Sequence, residues 1–249
     1  MSKFINFFFK FFGFALIRSK SLSLINLEIL KEPIIEDEYK ELISRIEKIY
    51  GDRISHHSLY SVYTLCNYIY KNKIEGDIIE CGVYEGACIA MVLMFFSSKK
   101  DFSRSIYLYD TYEGMTKPDL NDFHLVSKKK HMDEGYNYCS LENVKENLST
   151  INYDYQKIHY IKGDVMHTLP KSKHDKISLL RLDTDFYKST KIELETLYKH
   201  IIKGGFIIYD DYGHWKGQFD AVEEFYKSKK INPLMIRSSR KERIAIKLI

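Results

Sequence analysis

Four acidic residues close two apolar runs in the stretch Lys176 to Gly213, and their spacing implies a shared task. Ile177–Leu182 runs into Asp183 and Asp185, and Phe206–Tyr209 runs into Asp210 and Asp211. Between the runs, Ile192, Leu194, Leu197, Tyr198 and Ile201 keep a period near 3.6, so a helix joins two strands. Thr190 and Glu193 have the spacing of a capping box, and Gly204-Gly205 supplies a stop. In a parallel α/β sheet the carboxyl ends of neighbouring strands face one crevice. Asp183, Asp210 and Asp211 are therefore expected on one rim, with Asp185 read as a turn cap. Carboxylates this close disfavour each other's ionisation, so a cation is their natural partner. Mg²⁺ suits an all-oxygen set that keeps water.

A second group lies upstream. Glu80-Cys-Gly82-Val-Tyr84-Glu-Gly86 stands where a short strand, Asp77–Cys81, gives way to an apolar helix, Ala87–Phe96. Its E-x-G-x-x-x-G pattern differs from the G-x-G-x-x-G of dinucleotide binders. Without the phosphate-cradling glycine it suits a nucleoside that carries a cation, and Glu80 can attract an amine. The glycines permit a tight turn and close approach of a ligand to the backbone. Asp110 closes the next strand, where a carboxylate accepts ribose hydroxyls or caps a turn. Asp164, after the third strand, faces an adenine amino group or caps its own Gly-Asp turn.

Alternating elements must hold these groups in place. Ser105–Tyr109 and His159–Lys162 read as further strands, and Ser140–Leu148 and Phe219–Lys229 as helices. Leu234–Ile236 and Arg243–Leu248 read as a closing antiparallel hairpin. Upstream, Glu36–Tyr50 is amphipathic, and a second helix is expected with Ser58 as N-cap. The segment 113–140, with His124, Lys128–Lys130, His131, Tyr136 and Tyr138, lacks periodicity and reads as a lid or acceptor loop.

The chain has 249 residues, 45% hydrophobic and 29% charged, enough for one core domain, and its net charge of +4 is spread out. No basic stripe marks a nucleic-acid binder. Cys66, Cys81, Cys88 and Cys139 show no paired spacing, which fits free thiols in a reducing cytoplasm. Phe4–Ile17 is almost wholly apolar, yet its fourteen residues fall short of a bilayer span. With Lys3, Asn6, Lys10 and Gly13 on one stripe, it reads as a helix in a membrane interface, or as one packed on the domain or a second subunit. A cleaved signal is a third reading, although Lys3 alone makes a thin basic region and no small-residue cleavage site follows.

The segments GDIIECGVYEGACI, LYDTYEGM, LLRLDTDFYKST and GGFIIYDDYG resemble the macrocin O-methyltransferase family, whose members methylate sugar hydroxyls on macrolides and related natural products. The similarity runs from about Tyr60 to the C-terminus. It implies a Rossmann-like class I methyltransferase sheet, mostly parallel with a C-terminal antiparallel hairpin and helices on both faces. It also implies S-adenosylmethionine as cofactor and a catalytic Mg²⁺. Carried over by motif, Asp183, Asp210 and Asp211 hold the metal. Glu80, Gly82, Tyr84, Gly86, Asp110, Thr111 and Asp164 bind the cofactor. The base is Asp183 or His214, with His124 and His131 as alternatives, and Lys188 is a candidate to steady the alkoxide.

The resulting expectation is a domain over residues 31–249, with N-terminal helices over 31–75, behind an extension over 1–30. The acceptor is a small molecule or glycan, with a surface glycan or glycolipid precursor favoured by the Phe-rich N-terminus and the Lys-, Ile- and Asn-rich composition. A homo-oligomer is expected, in the cytoplasm or at the inner face of the membrane. A catechol-type methyltransferase, a nicotinamide-dependent sugar oxidoreductase and a non-enzymatic assembly subunit remain as alternatives.

Overall fold

The computed structural model describes residues 36–51, 53–130 and 134–248. The Phe-rich segment 4–17, the extension 1–30 and His131 lie outside the described residues. Helices α1 (Asp37–Tyr50) and α2 (His56–Lys71) precede strand β1 (Asp77–Cys81) and helix α3 (Ala87–Ser98). Then follow β2 (Ile106–Asp110), α4 (Leu141–Ser149), β3 (Ile158–Lys162), α5 (Val165–Thr168) and β4 (Ile177–Leu182). The chain continues through α6 (Tyr187–Leu197), β5 (Ile201–Tyr209), α7 (Lys216–Lys229), β6 (Leu234–Arg237) and β7 (Arg243–Ile246).

The seven strands form one sheet in the order β3-β2-β1-β4-β5-β7-β6. The first five are parallel, and β7 enters antiparallel between β5 and β6. The order reverses where β1 meets β4, which opens a crevice at their carboxyl ends. Backbone bonds continue past the strands there: Asp183 N–H donates to the Cys81 carbonyl (2.8 Å) and Asp210 N–H to that of Leu182 (3.0 Å). This registers the three strand ends that carry acidic residues.

The period of two along each strand divides the core into two layers. Ile78, Leu108, Leu179 and Ile208 pack with α1, α2, α3 and α4. Ile79, Tyr109, Leu180, Leu182 and Tyr209 pack with α6 and α7 on the other face. Strands buried on both faces read as continuous apolar runs, as the β4 sequence does. Leu180 is fully buried, and truncating such a leucine to alanine costs ~2–5 kcal/mol. All four cysteines are free thiols. No helix among the described residues is long and apolar enough to cross a membrane.

Several local expectations are corrected. Ser55, not Ser58, caps α2, its side chain accepting the Ser58 N–H. Thr190 and Glu193 lie inside α6 rather than at its start, both buried. The first N–H of α6 instead reaches Asp122 of the 113–140 segment, at 3.0 Å. Gly204 and Gly205 stop no helix: α6 tightens into a 3₁₀ turn over Tyr198–His200, and both glycines lie in β5. A Cβ on Gly205 would crowd Ile201 and the carbonyls of Ile177 and Ile202, so the β4–β5 seam requires glycine there.

Candidate active site

The turn after β1 is fixed from two sides. Gly82 has φ +83°, and a Cβ there would overlap the carbonyl of Asp183 on the neighbouring strand end. Its glycine therefore answers first to strand packing. Asp110 closes β2, and its Oδ2 accepts the N–H groups of Val83 (2.7 Å) and Tyr84 (3.0 Å). Its Oδ1 accepts the N–H of Tyr112 at 2.7 Å. Asp110 thus knits the ends of β1 and β2 together while still facing the crevice.

That crevice is a cleft of about 510 Å³. Its lining includes Gly82, Tyr84, Asp110, Thr111 and Asp164 together with Asp183, Asp185, Asp211, His214 and Trp215. Thr111 donates its hydroxyl to the Gly114 carbonyl (2.6 Å), which orders the start of the 113–140 segment. Asp164 caps α5 through the Met166 N–H (2.8 Å). Glu80 and Gly86 lie instead on a smaller cavity of about 230 Å³ that shares Tyr84, Asp183 and Lys241 with the cleft.

At the acidic rim, Asp185 joins two of the three expected ligands. Asp183, Asp185 and Asp211 bring one oxygen each within 4.8 Å of one another. Asp210 is not in this group. Its Oδ1 accepts from Arg181 (2.6 Å) and Ser58 (3.2 Å), and its Oδ2 is ion-paired with Lys241. The same Lys241 ammonium lies 3.4 Å from Asp211 Oδ1, so one cation already meets both aspartates. Asp185 has a left-handed backbone, φ +62°.

Arg181 is the hub beneath the rim. Buried inside β4, it contacts Glu80 at 2.5 Å, Asp183 at 2.9 Å and Asp210 at 2.6 Å. Burial raises the Asp210 carboxyl, but Arg181 and Lys241 outweigh it and hold the group well below the usual carboxylate range. Around it the balance goes the other way. Burial, then Asp210 and Asp211, pushes Asp183 up to about 8 against the pull of Arg181. Burial pushes Asp185 up to about 7 and Glu80 to about 8. Asp211, hydrogen-bonded to Asp185, is raised further by burial and by Asp185. Burial and mutual repulsion thus oppose the ionisation of these carboxyls.

The histidines separate cleanly. His214 lines the cleft, its ring edge-on to His124 (4.5 Å) and Trp215 (4.7 Å). His124 Nδ1 accepts the N–H groups of Val126 (3.2 Å) and Ser127 (2.8 Å), so its lone pair is spent on its own turn. That removes His124 as a base. Lys188 pairs with Asp119 at 2.9 Å and does not line the cleft. Sequence reasoning passed over Trp215, Arg181 and Lys241. An arginine inside the apolar run ISLLRL was a readable sign of a buried charge partner, whereas the turn lysine gave no sign.

A profile of the macrocin-O-methyltransferase (TylF) family matches residues 52–239, about three quarters of the chain. The chain belongs to the macrocin O-methyltransferase family. Among curated proteins, it is 30% identical over 142 residues to the 8-demethyl-8-(2,3-dimethoxy-alpha-L-rhamnosyl)-tetracenomycin-C 4'-O-methyltransferase of Streptomyces olivaceus, covering 56% of this chain and 54% of that one. It is 29% identical over 159 residues to the demethyldecarbamoylnovobiocin O-methyltransferase of Streptomyces niveus, covering 62% and 59%. The chain thus spans somewhat more than half the length of these relatives. Among solved structures, the O-methyltransferase NovP superposes with a TM-score of 0.72 at 22% identity, over 79% of this chain and 81% of that one. The calicheamicin methyltransferase CalS11 gives 0.67 at 18% identity, over 94% and 95%. Both show the fold: the Rossmann-like class I methyltransferase sheet expected for the family.

Proposed function

We propose that this family member is an S-adenosylmethionine-dependent O-methyltransferase acting on a sugar hydroxyl, with Mg²⁺ held at its acidic rim. The observation that carries the reading is the continuity of the cleft. One cavity joins the Gly82 turn, Asp110 and Asp164 to Asp183, Asp185 and Asp211. In this reading the cofactor and the cation share that cavity, which would bring the methyl group to the acceptor hydroxyl.

The residues fit both groups. Glu80 Oε2 is buried without a hydrogen-bond partner beside the smaller cavity, a ready acceptor for the ammonium of the cofactor's amino-acid end. Three converging carboxylate oxygens form the hard donor set that Mg²⁺ takes, with Asp183, Asp185 and Asp211 as ligands. When bound, S-adenosylmethionine supplies the electrophilic methyl group and Mg²⁺ lowers the pKa of a hydroxyl that is otherwise a poor nucleophile.

The chain's own residues supply positioning and proton transfer. Tyr84 and Thr111 flank the nucleoside end, and Trp215 walls the acceptor side. Asp183 is the base at the rim, with His214 as the alternative, and in-line placement of hydroxyl and methyl supplies much of the rate.

Family membership weighs against the nicotinamide-oxidoreductase and assembly-subunit readings. The rhamnosyl acceptor in the name of the Streptomyces olivaceus relative supports a sugar over a catechol. We extend this to a surface glycan or glycolipid precursor, methylated by a cytoplasmic homo-oligomer at the inner face of the membrane. The domain division, with an extension over 1–30 ahead of 31–249, belongs to the same proposal. Transfer of labelled methyl from S-adenosylmethionine to a panel of glycosides tests it. Transfer that stops in EDTA and returns with Mg²⁺ supports the reading, and full transfer in excess EDTA overturns the metal-assisted part. Co-sedimentation with anionic vesicles tests the membrane contact, and a soluble full-length chain would end it.

A further inference from the structure

Thr190 and Glu193 cap no helix, yet both side chains are fully buried where α6 lies on the sheet. Leu194 and Leu197 of the same helix pack in that layer with Leu180 and Leu182, so an apolar side chain at position 193 would match its neighbours. A carboxyl buried there has left water and needs hydrogen-bond partners in exchange. Among the described residues it meets one donor: Glu193 Oε1 accepts the Thr184 hydroxyl at 2.9 Å, whereas Oε2 is buried with no partner. The Thr190 hydroxyl, one turn earlier on the helix, is unpartnered as well. Buried polar groups are normally satisfied, and a half-satisfied carboxyl in an apolar layer is a burden on stability.

Thr184 belongs to the turn that leaves β4, and Asp183, Thr184 and Asp185 all line the cleft. The turn contains the left-handed Asp185, a backbone state that a residue other than glycine keeps only when its surroundings impose it. Phe186 N–H donates to the Thr184 carbonyl at 2.6 Å, and the Ser189 hydroxyl donates to the same oxygen at 3.3 Å. Gln218 N–H, on α7, donates to the Asp185 carbonyl at 3.1 Å. These bonds hold the backbone of the turn, and Glu193 adds a hold on the Thr184 side chain from the helix layer. We propose that Glu193 is a positioning residue, kept in the core at a loss of stability so that the turn from Asp183 to Asp185 holds one shape at the cleft. The proposal rests on the reading of the cleft as the site of methyl transfer.

The test compares the full chain with its Glu193→Met, Glu193→Gln and Thr184→Val variants. Urea unfolding reads global stability. Amide hydrogen exchange at Phe186 and Gln218, whose N–H groups bond the carbonyls of the turn, reads its local opening. Labelled methyl transfer to a panel of glycosides reads the consequence. Methionine fills irregular apolar space, so Glu193→Met should unfold at a urea concentration equal to or above the parent's. Its Phe186 and Gln218 amides should nevertheless exchange at least about tenfold faster. Its kcat should fall at least about tenfold, with the KM for S-adenosylmethionine within about threefold of the parent's. Glu193→Gln keeps an acceptor for the Thr184 hydroxyl and should bring every reading within about threefold of the parent. Thr184→Val should repeat the faster exchange. A Glu193→Met chain that is less stable, with exchange raised throughout the sheet, makes Glu193 an ordinary structural residue and overturns the proposal. So does parental exchange at the two amides, or faster exchange with kcat unchanged. If the parent chain methylates no glycoside, the sugar reading fails, and the exchange arm still decides whether Glu193 sets the turn.

Discussion

Arg181 Nη2 lies 2.6 Å from Asp210 Oδ1, with both side chains almost wholly withdrawn from water. The pair ties Asp210 to the sheet, whereas its neighbour Asp211 lines the cleft. Removing one partner of a buried ion pair leaves an uncompensated charge and costs ~3–5 kcal/mol. Arg181→Leu strands Glu80 and Asp183 as well as Asp210, so a loss of at least ~3 kcal/mol is expected. Urea unfolding measures it, and a loss under ~1 kcal/mol would mean that the hub does not hold the site together.

The same division predicts opposite phenotypes for two conservative changes. Asp185→Asn should weaken Mg²⁺ binding at least about tenfold with little change in stability, because it removes one charge from a crowded rim. Asp210→Asn should instead lower stability by ~2–4 kcal/mol, since Arg181 and Lys241 both lose a charged partner. Ion titration and urea unfolding on the two variants separate the roles. Asp210→Asn losing the ion with stability unchanged would restore Asp210 to the ligand set.

Gly82→Ala should be severe for a reason unrelated to ligand access. The added methyl meets the Asp183 carbonyl on β4, and the left-handed φ is strained for alanine. A destabilisation of about 2 kcal/mol or more is expected, together with loss of cofactor affinity as the strand ends part. Near-parental unfolding of the variant would show that the turn can relax.

Behind the cleft-lining Tyr109, His174 sets an acid limit. Its Nε2 lies 2.9 Å from the Tyr109 hydroxyl, and burial, then His200 and His159, lowers its pKa to about 4. The unfolded chain therefore binds a proton near pH 6.5 that the folded chain refuses until about pH 4. Stability from this group is complete above pH 6.5 and falls as pH drops through that window. Because the ring is only half-buried, ~1–2 kcal/mol is expected after screening. Thermal unfolding of the parent and His174→Gln between pH 4 and 7 should show a shallower slope in the variant. Parallel slopes would remove His174 as a cause.

Much of this architecture was legible in the chain. Continuous apolar runs marked β1 and β4, alternation with helical periods marked the α/β order, and Gly82, Asp110, Asp164, Asp183 and Asp211 all reach the cleft. The errors share a physical cause. Local patterns such as Thr190-x-x-Glu193 and Gly204-Gly205 lost to tertiary contacts: Glu193 accepts from Thr184 at 2.9 Å, and β5 uses the glycines for its seam. The chain gave no sign that Asp185 stands beside Asp183 and Asp211, or that Asp210 meets Arg181 and Lys241. Spacing alone does not carry that information. Lys241 reaches the site only through the register of a hairpin that no short-range signal specifies.

The central claim is that the cleft binds S-adenosylmethionine, and calorimetric titration of the cofactor into the full chain tests it most directly. The account predicts one saturable site per chain, weakened roughly 10- to 150-fold by Asp110→Ala, which loses a carboxylate at the nucleoside end and unpins the Gly82 turn. It also predicts no binding of NAD. Absence of S-adenosylmethionine binding by the folded parent chain, or unchanged affinity in a folded Asp110→Ala chain, would contradict it.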